Sequence, residues 1–260
     1  MIGVYDVTKC KLKLLVGTFA VFISGFSLFA QQTSVSPPLS ADQVMERVAA
    51  MNELRAKALE SYSSVRSYRL ECHCLSHKKA DMVVRTEYHA PDKKSFTIVS
   101  EEGSGTVRSK VFKKLLEAEQ ESMREENQQR SAINSDNYTF KVVDYQKAQE
   151  NELYVLEAEP KTKNKFLFRG KIWVDGKDFA ITQIEGETAV NPSWWTLRTD
   201  FKRRYQKVGD FWLPESNESE TKVRILGTAN LCIEYGQYEI TRSGAANNIS
   251  SIEEPSRERQ

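Results

Sequence analysis

Net charge is what this sequence most conspicuously lacks. Its 37 lysines and arginines are matched by 36 aspartates and glutamates, a formal +1. Without residues 1–30, which hold Lys9, Lys11, Lys13 and Asp6, the balance becomes −1. Such a chain has no electrostatic reason to seek nucleic acid. Histidine is scarce too, with only His73, His77 and His89. There is no Gly-x-Ser-x-Gly elbow, phosphate loop or Gly-x-Gly-x-x-Gly, and no carboxylate pair is singled out by spacing. The sequence therefore nominates no catalytic residue, and neither an enzyme nor a cofactor is expected. Cys72-His73-Cys74-x-x-His77 has zinc-type ligands, but on a strand the cysteines face one way and His73 the other. No metal is assigned to it.

Long apolar runs are absent except one. Lys9, Lys11 and Lys13 precede an apolar core, Leu14–Ile23, and the uncharged stretch Leu14–Ala30 ends in Ser-Leu-Phe-Ala. That is the pattern of a secretory signal peptide over 1–30, which places the protein in the periplasm. The alternative is an uncleaved anchor, for which this run is at the short end. Cys72, Cys74 and Cys232 remain, an odd number in an oxidising compartment. A disulfide from Cys232 to Cys72 or Cys74 and three small buried thiols are both open, with buried thiols the plainer reading. Cys72 and Cys74 bonded to each other would strain the backbone.

What is present is punctuation and alternation. Residues 31–39 (QQTSVSPPL) read as a linker. Ser40 and Gln43 then form a capping box, with Leu39 and Val44 as a staple. Val44, Val48, Met51, Ala58 and Tyr62 continue at helical spacing to about Ser64. Strands are expected at Ser67–Ser76, Asp81–His89 and Lys94–Val99. Residues 106–130 return to helical spacing, with Val107, Val111, Phe112, Leu115 and Leu116 on one stripe and a polar second half. Strands resume at Thr139–Tyr145 and Glu152–Glu159. A hairpin starting at Lys165 follows, then Trp195–Lys207, Phe211–Leu226 with an edge-like Pro214, and Ala229–Thr241 with a bulge at Gly236. Residues 243–260 read as a disordered tail.

The hairpin is the strongest signal. Phe166, Phe168, Gly170, Ile172 and Val174 alternate with Leu167, Arg169, Lys171, Trp173 and Asp175. A two-residue Gly176-Lys177 loop would pair Asp175 with Asp178, Val174 with Phe179 and Ile172 with Ile181. The sum is a mainly β (α+β) fold over 40–242. It is an unclosed antiparallel β-barrel or strongly curved sheet of about ten to eleven strands. The N-terminal helix and the helical insertion cover its concave face.

The run Gly170-Lys171-Ile172-Trp173-Val174-Asp175, then Ile181 and Ile184-Glu185-Gly186, resembles the LolA-like group of outer-membrane lipoprotein-sorting proteins. The continuation NPSWWTLRTDFKRRYQKVGDFWLP resembles a sorting-protein-like branch. This resemblance implies an open barrel with a helical lid over a hydrophobic cavity that binds acyl chains of a lipoprotein or lipid. On that reading the cavity is lined by Phe166, Phe168, Ile172, Val174, Phe179, Ile181 and Phe201. The lid carries Val111, Phe112, Leu115 and Leu116. The group uses an arginine in its lid contact, and no motif places it here. Arg203 shares parity with Leu197, Phe201 and Tyr205, so it either points into the cavity or is turned to solvent by a bulge. Trp194, Trp195 and Trp212 are either an interfacial contact or hairpin packing. Arg198, Lys202, Arg204 and Lys207 are either a lipid-headgroup stripe or a solvated face. The expected protein is a monomeric, non-enzymatic carrier. The alternative is an envelope sensing or interaction module, for which an envelope membrane protein is the candidate partner.

Overall fold

In the computed structural model, residues 37–73, 77–149, 151–191, 194, 196–224 and 227–244 are described. They belong to the unit Val35–Gln260. The expected leader and most of the expected tail lie outside these residues. The capping box forms: Ser40 N–H donates to Gln43 Oε1 and Gln43 N–H to Ser40 Oγ, at 2.9 and 3.3 Å. It opens helix α1, Ala41–Ala58. Val44, Met45 and Val48 form its buried stripe, and Leu39 packs beside them.

Ten strands follow: β1 Leu59–His73, β2 Lys78–His89, β3 Lys93–Gly103, β4 Tyr138–Ala148, β5 Asn151–Pro160, β6 Phe168–Asp175, β7 Ala180–Thr188, β8 Thr196–Val208, β9 Phe211–Val223 and β10 Gly227–Arg242. Between β3 and β4 lies the insertion. It comprises α2 (Gly105–Val107), a π-helical turn (Arg108–Phe112), α3 (Lys113–Ser122) and α4 (Glu125–Ser131). All ten strands form one antiparallel sheet in the order β3-β2-β1-β10-β9-β8-β7-β6-β5-β4. The sheet is not closed, so β3 and β4 are its edges. The fold is the expected mainly β, unclosed antiparallel sheet with few helices.

Two local expectations are corrected. The strand after α1 begins at Leu59, so Tyr62 lies on β1 and not on a helix. Tyr62, Ser64, Arg66 and Tyr68 alternate, and a serine-rich stretch is a poor helix interior. The hairpin register differs as well. Asp175 pairs with Ala180, Val174 with Ile181 and Ile172 with Ile184. The turn is longer because Asp175 Oδ1 accepts the N–H groups of Lys177 and Asp178, at 3.0 and 2.6 Å. A bulge at Trp173/Val174 then restores the apolar parity. Pro214 lies at the β8–β9 register shift and beyond the last β9–β10 pair at Ser216, so it is paired on the β8 side only and is edge-like as expected. The bulge expected at Gly236 is present, opposite Val65.

Cross-strand partners lie on the same face of a sheet. One row therefore runs Met82, Tyr68, Ile233, Asn217, Arg203, Ile184, Ile172, Leu156, Val142, from β2 to β4. Its two ends belong to two separate apolar clusters. Both helical covers thus lie on this inner face, with polar residues between them.

Candidate functional site

The cover on one half is α1. Its Val44, Met45 and Val48 pack on Tyr138, Tyr154, Leu156, Leu167, Phe168, Ile172, Val174 and Ile184. Ile172 and Val174 are fully buried and Phe168 nearly so, which makes these three core residues beneath α1 rather than an open cavity lining. The reason is simple: α1 needs a partner for its stripe and the hairpin supplies it. Phe179, Ile181 and Phe201 are half-buried at the margin of the cluster, and Phe201 meets Phe168 edge-on. Phe166 precedes β6 in a turn and lies under the cations of Arg130 and Lys165. Leu167, expected on the outer face, is buried because β6 starts only at Phe168.

Arg55 fixes α1. Its side chain is buried and donates to the backbone oxygens of Asp178, Phe179 and Asp210, at 2.5, 3.5 and 3.2 Å. It thereby joins the helix end to the β6–β7 and β8–β9 turns. Burial pulls its pKa down, and Asp178, Asp175 and Asp210 oppose that. Sequence reasoning missed Arg55, although its place seven residues after Val48 puts it on the same helix face.

The second cover is the insertion. Val107 and Phe112 are buried, and Val111, Leu115 and Leu116 half-buried, against Tyr68, Leu70, Met82, Val84, Phe96, Leu231 and Ile233. The expected lid and the expected floor are therefore not in contact. The lid covers β1–β3 and β10, while the hairpin lies under α1. At its far end α3 is held by charge. Arg66, 1 % exposed, donates through Nη1 to both oxygens of Glu119 at 2.9 Å, and Lys94 Nζ lies 2.5 Å from the same carboxylate. Arg66 is also sandwiched against the rings of Tyr235 and Phe96. Burial pushes the Glu119 carboxyl up, but Lys94 and Arg66 outweigh it and hold the group below its ordinary value. Glu119 lies seven residues after Phe112, a one-face spacing that was readable. Its partner Arg66, 53 residues away, was not. Where α3 faces β3, a groove of about 500 Å³ remains open, with Phe96, Ile98 and Leu116 in its wall and Arg108 and Lys113 at its rim.

Between the covers the inner face of β8 and β9 is polar. The Thr199 and Thr221 hydroxyls meet at 3.1 Å. Asn217 Oδ1 is buried with no partner among the described residues. Arg203 stands opposite Asn217 and Ile184, so it faces inward, yet it is solvent-exposed. Desolvation pulls its pKa down, but the hydroxyls of Tyr205 and Tyr235 and the Glu119 carboxylate raise it above its ordinary value.

The outer face explains the basic stripe. Arg198 pairs with Glu187 and Asp200, Lys202 with Glu185 and Arg204 with Glu218, while Lys207, which shares the parity of Arg203, pairs with Asp178 at the end of the strand. This is a solvated ion-pair ladder in which acids offset each cation. Trp212 is hairpin packing: its Nε1–H donates to Asp178 Oδ2 at 2.8 Å. Trp194 is 68 % exposed and stacks under Arg224. Trp195 lies outside the described residues. Cys72 is disulfide-bonded, which corrects the reading of three plain buried thiols. Its partner sulfur lies outside the described residues, and its thiolate is thereby unavailable to a metal. The His73 and His77 rings meet edge-on at 5.6 Å.

The described residues define a fold class, an unclosed ten-stranded antiparallel sheet with helices on its inner face. The chain belongs to a family of unknown function, DUF5686, whose model matches residues 79–238. No curated protein matches it. Among solved structures it is similar to LolA superfamily protein NE2245 from Nitrosomonas europaea, with 9% identity, TM-score 0.35, and 78% of this chain and 94% of that one covered. It is also similar to a DUF1329 family protein from Desulfovibrio piger, with 9% identity, TM-score 0.38, and 77% and 92% covered. A putative outer membrane lipoprotein-sorting protein domain from Vibrio parahaemolyticus is similar at 12% identity, TM-score 0.37, and 80% and 97% covered. At such identities the likeness reaches no further than the fold. No helix among the described residues is long and apolar enough to cross a membrane.

Proposed function

We propose that the protein is an exported, non-enzymatic carrier that shields acyl chains of a lipoprotein or lipid beneath the insertion. The observation that carries this reading is the contrast between the two covers. The α1 helix is tied to three backbone oxygens by Arg55. The insertion contains a π turn, buries only Val107 and Phe112 fully, and leaves an apolar-walled groove beside it. A groove of that volume is within the range of small-molecule sites. The lining is thus assigned to the surface under Val111, Phe112, Leu115 and Leu116, while Phe201 stays at the margin of the α1 cluster. Phe168, Ile172 and Val174 would join the lining only if α1 moved.

Opening the insertion into water would expose those side chains at about 1.5–3 kcal/mol for each large one. An acyl chain that takes their place on the sheet removes most of that cost, so opening and entry are one exchange. Replacing Phe112 and Leu116 by serine should raise apolar-dye binding by the ligand-free protein. Unchanged dye binding in a folded double variant counts against the lid.

One observation favours a second reading, an envelope interaction module. Edge strand β3 exposes Ile98 and Val99 at 49% and 58%, a surface on which an extended segment of a membrane or envelope protein could add a strand.

A further inference from the structure

Strand β8 carries five cations between Arg198 and Lys207, and four of them have a carboxylate within ion-pair distance. The fifth, Arg203, has none among the described residues. It points inward, at the middle of the row linking the two apolar clusters. A guanidinium has five N–H donors in a planar fork suited to carboxylate or phosphate. Tyr205, two residues on along β8, shares its face and its hydroxyl acts on the guanidinium, which still leaves donors for a ligand. Beside it, Asn217 presents its own buried and unpartnered oxygen. The nearby charges do not neutralise this spot. Glu119 acts on Arg203 but is already held by both Arg66 and Lys94, so three cations share one carboxylate.

An inward cation that water still reaches, with no carboxylate in ion-pair contact among the described residues, keeps donors available to a visiting anion. Its flanks are amphipathic in the right order. Phe201 lies one row along β8 and borders the α1 cluster, and Tyr235 borders the cluster under the insertion.

We infer that Arg203, with Asn217 and the Tyr205 and Tyr235 hydroxyls, forms an anion-binding site on the inner face that takes the phosphate or carboxylate headgroup of a single-chain amphiphile. This inference rests on the carrier reading for the tail but not for the headgroup. The site selects an anionic amphiphile over a neutral one of equal chain length. Asn217 Oδ1 accepts from a hydroxyl or amide N–H next to the charged group.

The test uses the purified full-length protein with dodecyl phosphate, dodecanol and inorganic phosphate, read by calorimetry. The wild type should bind dodecyl phosphate about tenfold or more tighter than dodecanol, as expected for charge-assisted hydrogen bonds. Arg203→Gln should abolish that preference and leave dodecanol affinity unchanged, and Arg203→Lys should restore part of it. Arg198→Gln, on the outer face of the same strand, should change nothing. Asn217→Asp, which sets a like charge beside the anion, should weaken dodecyl phosphate alone. Equal affinity for dodecyl phosphate in the wild type and Arg203→Gln overturns the site while the carrier reading stands. Inorganic phosphate bound through Arg203, with neither amphiphile bound, keeps the site and overturns the carrier reading. Binding of none of the three overturns both.

Discussion

Replacing Glu119 by glutamine tests how the insertion is held. Arg66 is 1 % exposed and the Glu119 side chain 28 %, so the pair is largely out of water. Breaking a buried pair from one side costs about 3–5 kcal/mol because the other charge is left uncompensated. Here the amide still accepts one hydrogen bond, the Tyr235 and Phe96 rings still face Arg66, and the carboxylate is partly wet. These reduce the expected loss to about 2–3 kcal/mol, or roughly 30- to 100-fold in the opening equilibrium at 1.4 kcal/mol per tenfold. The assay is amide hydrogen exchange, read peptide by peptide, beside a thermal melt. Protection should fall across residues 105–122 and hold in β5–β7. If the pair broke only on global unfolding, the same loss would lower Tm by about 4–12 °C. Local opening predicts a much smaller shift. Glu117→Gln removes an equal charge from an exposed pair with Lys113 and is the control. Protection in Glu119→Gln equal to that of the wild type, or lost evenly over the sheet, refutes the reasoning. The pH dependence has a definite sign. The folded-state pKa of Glu119 is lowered, so its contribution is present at neutral pH and disappears as pH falls through that lowered value. Dye binding should therefore stay flat from neutral pH down to the ordinary glutamate range and rise only below it.

Two further outcomes follow from the sheet itself. A Cβ at Gly170 would lie 2.0 Å from the Glu185 backbone oxygen, so Gly170→Ala should cost about 1–3 kcal/mol or more in denaturant unfolding. Gly105→Ala, whose nearest such contact is Arg108 Nη2 at 3.8 Å, should be neutral or stabilising. Tyr138 is buried and pushed up to about 12, so stability should decline as pH rises above about 10, where the unfolded tyrosine ionises. Tyr138→Phe should flatten part of that decline in unfolding free energy measured across this range.

Much of the architecture was legible because strand parity and capping are local. Ser40 and Gln43 sit three apart, Gly236 interrupts a parity, and Met82 and Val84 alternate with charges. Each signal is complete within one turn or one strand. What was not legible depends on residues far apart in the chain. The sequence shows an apolar stripe on α1 and another on the insertion, and an apolar hairpin that either could cover. Nothing in the hairpin says that α1 takes it, since the tie is Arg55 reaching backbone oxygens more than 120 residues away. The hairpin register depended on the Asp175 side chain capturing two N–H groups, which an Asp-Gly pair alone does not reveal. Arg203 was readable to the extent that its parity offered an inward position. The sheet partners that make it inward, Asn217 and Ile184, come from β9 and β7, and no local pattern pairs those strands with β8. The outer stripe looked cationic because, apart from Asp200 on β8 itself, its acids lie on neighbouring strands.

The central claim is that an acyl chain occupies the inner face beneath the insertion. Native mass spectrometry of the protein purified from its own cell envelope tests it most directly. The account predicts a discrete mass shift from a co-purified acylated species, lost when Phe112 and Leu116 are both replaced by tryptophan to overfill the space. Recovery of the bare chain alone, or of a stoichiometric protein partner without any acylated species, would contradict it.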